Sequence, residues 1–211
     1  NQMAAERGAA EDLAYVFNFD EPYRPCYLRL PAGRGGALGA ELHRVVEELL
    51  IALPAAFESD TASSRRQDLM HSFENRSRAL FETLGKSVAV DGIALVQTPE
   101  GLTLAPLSGE APMTHEAFTA LPEAERDRLR GLLQRAEGSL ETTTRMQRLL
   151  QREASEAMAA LDRDIAAKEV NHRVAELQEN FADLPKVEAY LQRVRDDILD
   201  HLELLRPASG E

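Results

Sequence analysis

The sequence predicts a mainly α-helical protein: a long antiparallel helical hairpin, a coiled-coil-like arm, on a helical base, with a small β-hairpin at the tip and a short N-terminal β segment. Three observations carry that prediction. Residues 122–180 keep near-heptad apolar spacing, with proline only at position 122, where a helix can begin. Two further segments, near 38–53 and 60–86, repeat apolar residues at the helical period. Only 5% of the 211 residues are aromatic and none is tryptophan, which suits helix seams better than a thick globular core.

Taken in order, Asn1 to Asp12 is Ala- and Glu-rich and reads as the tail of a helix. Tyr15 to Phe19 is a β-prone run closed by Asp20, Pro22 and Pro25, and Tyr27 to Leu30 is a second extended run. Two strands alone are marginal in water, so both are expected to need partners from elsewhere. Pro31 and the glycines at 33, 35, 36 and 39 read as a loop. From Leu38 the period becomes helical, with Leu42, Val45, Val46, Leu49, Leu50 and Leu53 on one face until Pro54 ends or kinks the helix. Ser59 or Asp60 can cap the next helix, whose stripe is Leu69, Phe73, Leu80 and Leu84 and whose end is expected near Gly85.

Ile93 to Gln97 and Leu102 to Leu107 flank Thr98-Pro99-Glu100-Gly101, the signature of a β-hairpin over about residues 93–107. Thr114 can cap a short helix reaching Phe118, and Pro122 suits a first helical position. A continuous helix from there to Asn180 would be about 85 Å long. That length exceeds a compact domain of this size, whose radius of gyration is about 17 Å. The helix must therefore kink, with Gly131 and Gly138 as candidates, or project as an arm. Pro185 restarts the chain into a last helix, with Val187, Leu191, Val194, Ile198, Leu202 and Leu205 as its stripe and Pro207 as its stop.

Composition excludes several functions. With 24 basic and 36 acidic residues the net charge is −12, which argues against nucleic acid as a partner. The single cysteine, Cys26, excludes an internal disulfide and a cysteine-rich zinc site, and reads as a structural thiol. No apolar run is long enough to span a membrane and no leader opens the chain, so a cytoplasmic location is expected.

Each chemical motif is incomplete. Gly85-Lys86-Ser87 ends like a phosphate loop, but Leu80 stands where the first glycine belongs and a helix precedes it. Gly33 to Gly39 opens a helix, yet departs from a dinucleotide fingerprint. Glu169 and His172 have the spacing used in helical di-metal sites, which would make the chain a helical metal enzyme, but a second copy is missing. Arg145, Arg148 and Arg152 form a basic stripe for which pairing within or between helices is expected. No catalytic, cofactor-binding or metal residue is assigned. Ile93, Leu95, Leu102 and Leu104 can share one sheet face, either as core or as a contact surface for clients or neighbouring subunits.

Several runs together resemble one family. They are Tyr15 to Pro25, Leu28 to Gly35, Ala52 to Ser59, Thr98 to Gly101, Phe118 with Leu121 to Arg126, and Phe181 to Pro185. The chain resembles the Lon-related ATP-dependent serine proteases, in the branch whose AAA+ module carries a long helical insertion, over about residues 13–206. The resemblance implies a fragment: residues 1–36 from the AAA+ core, residues 37–206 as the helical insertion, and residues 207–211 as a tail. It implies that the Walker motifs and the serine–lysine protease domain lie outside this chain, so ATP and magnesium belong to the parent and none of its catalytic residues carries over. The implied partners are the rest of the AAA+ and protease domains, unfolded protein clients, and further subunits in a homo-oligomeric ring. The other reading is a free-standing coiled-coil adaptor or scaffold without enzymatic activity.

Overall fold

The computed structural model describes residues 10–99, 101–109 and 111–205. It is mainly α, 71% helical, with five α-helices and two small antiparallel sheets among the described residues. In chain order the elements are β1 (Asp12–Val16), β2 (Cys26–Leu30), α1 (Arg34–Glu58), α2 (Asp60–Val90), β3 (Ile93–Thr98), β4 (Gly101–Ser108), β5 (Ala111–Pro112), α3 (His115–Thr119), α4 (Glu123–Asn180) and α5 (Pro185–Asp200), then a 3₁₀ turn over Leu202–Leu205. Two compact units form. One takes the described residues up to Arg65 and from Ala159 onward; the other is Arg66–Met158.

In the first unit, β1 and β2 pair with each other, from Asp12 opposite Leu30 to Val16 opposite Cys26. The strand therefore starts and stops earlier than the β-prone run suggests, and Asp12 is strand rather than helix. The expected helix over residues 1–9 lies outside the described residues. Asn18 ends β1: its Nδ2 donates to the Arg24 carbonyl at 3.0 Å and its Oδ1 accepts from the Asp20 amide at 3.1 Å. Such side-chain bonds to nearby backbone are how Asn favours turns.

Helix α1 begins at Arg34, inside the expected loop. Gly33 takes a left-handed φ of 83° and offers no side-chain cap. Asp12 supplies the missing cap from the sheet, its Oδ2 accepting from the Gly35 amide at 2.8 Å. The helix then runs through Pro54 to Glu58. An interior proline costs about 3 kcal/mol. Burying Leu53 and Phe57, about 1.5–3 kcal/mol each, offsets that. Val46 and Leu50, expected in the stripe, are exposed; Leu38, Val45, Leu49, Leu53 and Phe57 form it.

Helix α4 is a single 58-residue element. In the first unit it buries Leu161, Ile165, Ala166, Val170, Val174 and Leu177, and α5 buries Val187, Leu191 and Leu199. Polar bonds tie the helices together. Arg173 reaches Glu48 of α1 at 3.6 Å, and Arg163 pairs with Asp200 at the end of α5. Arg34 donates to the Asn180 carbonyl at 2.9 Å and to Asp183 at 3.0 Å, over the Phe181 ring. It thus puts a cation at the negative end of α4, whose own last turn has no basic residue. Helix α5 stops at Asp200, short of the expected Leu205, and the chain tightens into the 3₁₀ turn.

In the second unit, parts of α2 and α4 run antiparallel, with Arg76 bonded to Glu153 and Ser77 to Gln147. Helix α2 passes Gly85 and continues to Val90, because an interior glycine costs only about 1 kcal/mol. Val88 is buried one turn on, and Gly92, at φ 72°, makes the reversal instead. Strands β3 and β4 pair from Ile93 opposite Pro106 to Thr98 opposite Gly101. A third strand, β5, extends the expected hairpin, with Pro112 at the sheet edge where no N–H is required. Thr114 caps α3 as expected, accepting from the Ala117 amide at 3.2 Å.

The Asp12 cap gives a sharp contrast between two glycines of α1. A Cβ on Gly39 meets nothing within 4 Å, whereas one on Gly35 comes to 3.1 Å from Asp12 Cβ and Oδ2. Gly39→Ala should stabilise the chain by about 0.5–1 kcal/mol in urea unfolding. Gly35→Ala should gain nothing or lose stability, since displacing a cap costs about 1 kcal/mol.

Candidate interaction surfaces

The chemical motifs fold into ordinary helix. Gly85, Lys86 and Ser87 lie inside α2, where Ser87 Oγ donates to the Leu84 carbonyl at 2.8 Å. Their amides lie within the helix, so this segment forms no phosphate cradle. The Gly35 amide at the start of α1 is held by Asp12. Glu169 bonds Arg173 at 2.6 Å and His172 Nε2 lies 3.4 Å from Glu176, both along one helix. Among the described residues no three His, Cys, Asp or Glu side chains gather as metal ligands. Cys26 is half-buried, its Sγ 3.8 Å from the Val16 and Phe17 carbonyls.

The first surface is the outer face of the β1–β2 sheet. Side chains alternate along a strand, so one face packs inward and the other does not. Leu28 and Leu30 are buried, while Leu13, Tyr15, Phe17 and Tyr27 are more than half exposed. Tyr15 and Tyr27 stand directly opposite each other, and the Arg29 guanidinium lies 5.9 Å from the Tyr27 ring centre. The far side of the hairpin is anchored: Phe19 packs on Tyr190 at 5.8 Å, and Asp20 pairs with Arg193 at 2.7 Å. Burial there pushes the Tyr190 phenol above its ordinary range. A contiguous apolar face held on an anchored sheet is the usual mark of a binding surface.

The second surface lies in the other unit, along the seam of α2 and α4. A groove of about 840 Å³ runs beside it, lined by Leu80 and Leu84 on one helix and Met146, Leu149 and Leu150 on the other. Arg76 bridges to Glu153 through two hydrogen bonds of 2.7 and 2.9 Å. That bond holds the Glu153 carboxyl below its usual range. Arg145, Arg148 and Arg152, for which pairing was expected, make no ion pair among the described residues.

The four hairpin residues separate. Ile93, Leu95 and Leu104 face the cluster of Leu84, Val88, Leu129, Leu132 and Ala136. Leu102, on the same face but nearer the turn, is 37% exposed. From sequence the Tyr15–Leu30 segment was expected to need partners from elsewhere; β1 and β2 pair with each other instead, and the alternation in Leu13, Tyr15 and Phe17 held the signal of the exposed face.

An anchored sheet and helical seams define a mainly α-helical module. Residues 12–45 match the family model of the Lon-like LonC helical domain. The matched stretch spans the β1–β2 sheet, the Asp12 and Arg34 anchors and α1 as far as Val45. The match bears out the Lon-like resemblance over those residues. No curated protein matches the chain. Among the described residues no helix is long and apolar enough to cross a membrane.

Two outcomes follow from these surfaces. Leu104→Ser should lower stability by about 2–4 kcal/mol, whereas Leu102→Ser should stay within about 0.5 kcal/mol in the same denaturant titration. The Arg76–Glu153 bond adds stability that is fully present above the ordinary glutamate pKa of about 4.3. This contribution fades as pH falls through the lowered folded-state value. The stability gap between the wild type and Glu153→Gln should therefore close on acidification below about pH 4, as read from unfolding midpoints.

Proposed function

We propose that this chain is the helical domain of a Lon-like ATP-dependent protease and serves substrate engagement or ring assembly. The observation that carries the reading is the coincidence of the family match at residues 12–45 with the sheet that leaves Leu13, Tyr15, Phe17 and Tyr27 exposed. In this reading the outer face of β1–β2 packs against the rest of the AAA+ module. The family match runs across the expected division at residue 36, so in this reading the helical domain takes in the β1–β2 sheet. In this reading the parent is a serine endopeptidase whose ATP and magnesium bind outside this chain. It works in the cytoplasm on unfolded proteins as a ring of identical subunits.

Tyr15→Ser combined with Tyr27→Ser tests this. Both side chains are exposed, so the isolated chain should keep its melting temperature within about 2 °C. The same double variant in the full protease should lose subunit assembly and client degradation, read by sedimentation and by casein cleavage. Normal assembly and cleavage would remove the docking role from this face.

A further inference from the structure

We infer that the groove between α2 and α4 in the second unit is a docking site for an acidic amphipathic helix of a partner protein. Two helices running side by side leave the flank of their seam uncovered, and a third helix is the shape that closes it. The groove extends along α4 from Arg135 to Glu153, about 27 Å of helix, which an incoming helix of about 18 residues would match. Its floor holds leucines and Met146 among serine and threonine side chains, with the Arg76–Glu153 pair beside them, and Met146 and Leu149 remain 49% and 57% exposed in it.

Charge selects the occupant. At about 100° per residue, Arg148, Arg152 and Arg145 fall within about 60° of arc on α4, and Leu149 and Met146 fill the next 100°. The stripe thus lies on the solvent side of Leu149, outside the residues that line the groove itself. Residues 142–152 contain these three arginines and no acidic residue, between Glu141 and Glu153, in a chain of net charge −12. Elsewhere most described arginines are bonded to carboxylates, such as Arg65 to Asp164 and Arg130 to Asp127. The three beside the groove have no such partner among the described residues.

A second copy of this chain fits worse. A two-fold contact with the α4 helices antiparallel would set the basic stripe against itself, and like charges across an interface oppose association. A helix with leucines on one face and glutamates beside them satisfies both the floor and the rim. This inference does not depend on the protease reading; a free-standing adaptor with the same groove would bind the same partner.

The test uses the full 211-residue chain and two fluorescent 18-residue amphipathic peptides with the same leucine stripe. One carries glutamate on its flanks and the other carries lysine. The glutamate peptide should bind at least about tenfold tighter by polarisation, with the ratio shrinking as salt rises. Arg145→Glu, Arg148→Glu and Arg152→Glu together should invert the preference, with helicity checked by circular dichroism. Met146→Ser with Leu149→Ser should weaken both peptides by about tenfold. Equal affinities for the two wild-type titrations would overturn the proposal, and so would no binding of either peptide. A chain that sediments as a dimer and turns monomeric in the Met146→Ser, Leu149→Ser variant would assign the groove to a second copy instead.

Discussion

The buried stripe of α4 is the constraint on which the rest of the structure depends. Leu129, Leu132, Ala136 and Leu150 lie on it in one unit, and Leu161, Ile165, Ala166, Val170, Val174 and Leu177 in the other. A short isolated helix is marginal in water, and tertiary burial of one face is what stabilises it. Each unit therefore needs its part of α4, and α4 needs both. The small residues on the stripe, Ala136 and Ala166, let neighbouring elements approach closely. The charged residues fall on the remaining faces, where they pair across short distances, as Arg65 does with Asp164 and Arg76 with Glu153.

The ends of the helices explain how so small a sheet is held in place. A two-stranded sheet has little stability of its own. Here Asp12 caps α1 from β1, and Arg34 at the start of α1 closes the carbonyl end of α4. Phe19 and Asp20, just beyond β1, fasten to Tyr190 and Arg193 of α5. The strands thus contribute as caps and anchors more than as a sheet. The inner face serves that role, and the outer face of Tyr15 and Tyr27 is left without a structural task inside this unit.

Much of this was legible in the sequence, and the failures share a cause. The helical period marked α4, α5 and most of α1 and α2, because burial of one face dictates the spacing. Thr98-Pro99-Glu100-Gly101 marked the turn between β3 and β4. Local breaker signals misled where a distant contact outweighed them. Gly33 to Gly39 read as a loop because nothing nearby caps a helix there; the cap comes from Asp12, 23 residues before Gly35. Pro54 and Gly85 read as ends because their intrinsic costs are real, yet Phe57 and Val88 beyond them are buried. Strand β5 has two residues, one of them Pro112, and carries no alternation to detect. Of the four hairpin residues, the shared face was legible from period 2. That Leu102 alone remains exposed depends on where the cluster ends, which only the packing reveals.

The proposed function requires the outer face of β1–β2 to be an interface rather than free surface. Hydrogen exchange measured by mass spectrometry tests this directly, comparing the isolated chain with the same chain joined to the AAA+ and protease domains. If that face docks, exchange across Asp12–Val16 and Cys26–Leu30 is slower in the joined form, with the α5 amides unchanged. Identical exchange of both strands in the two forms would contradict it.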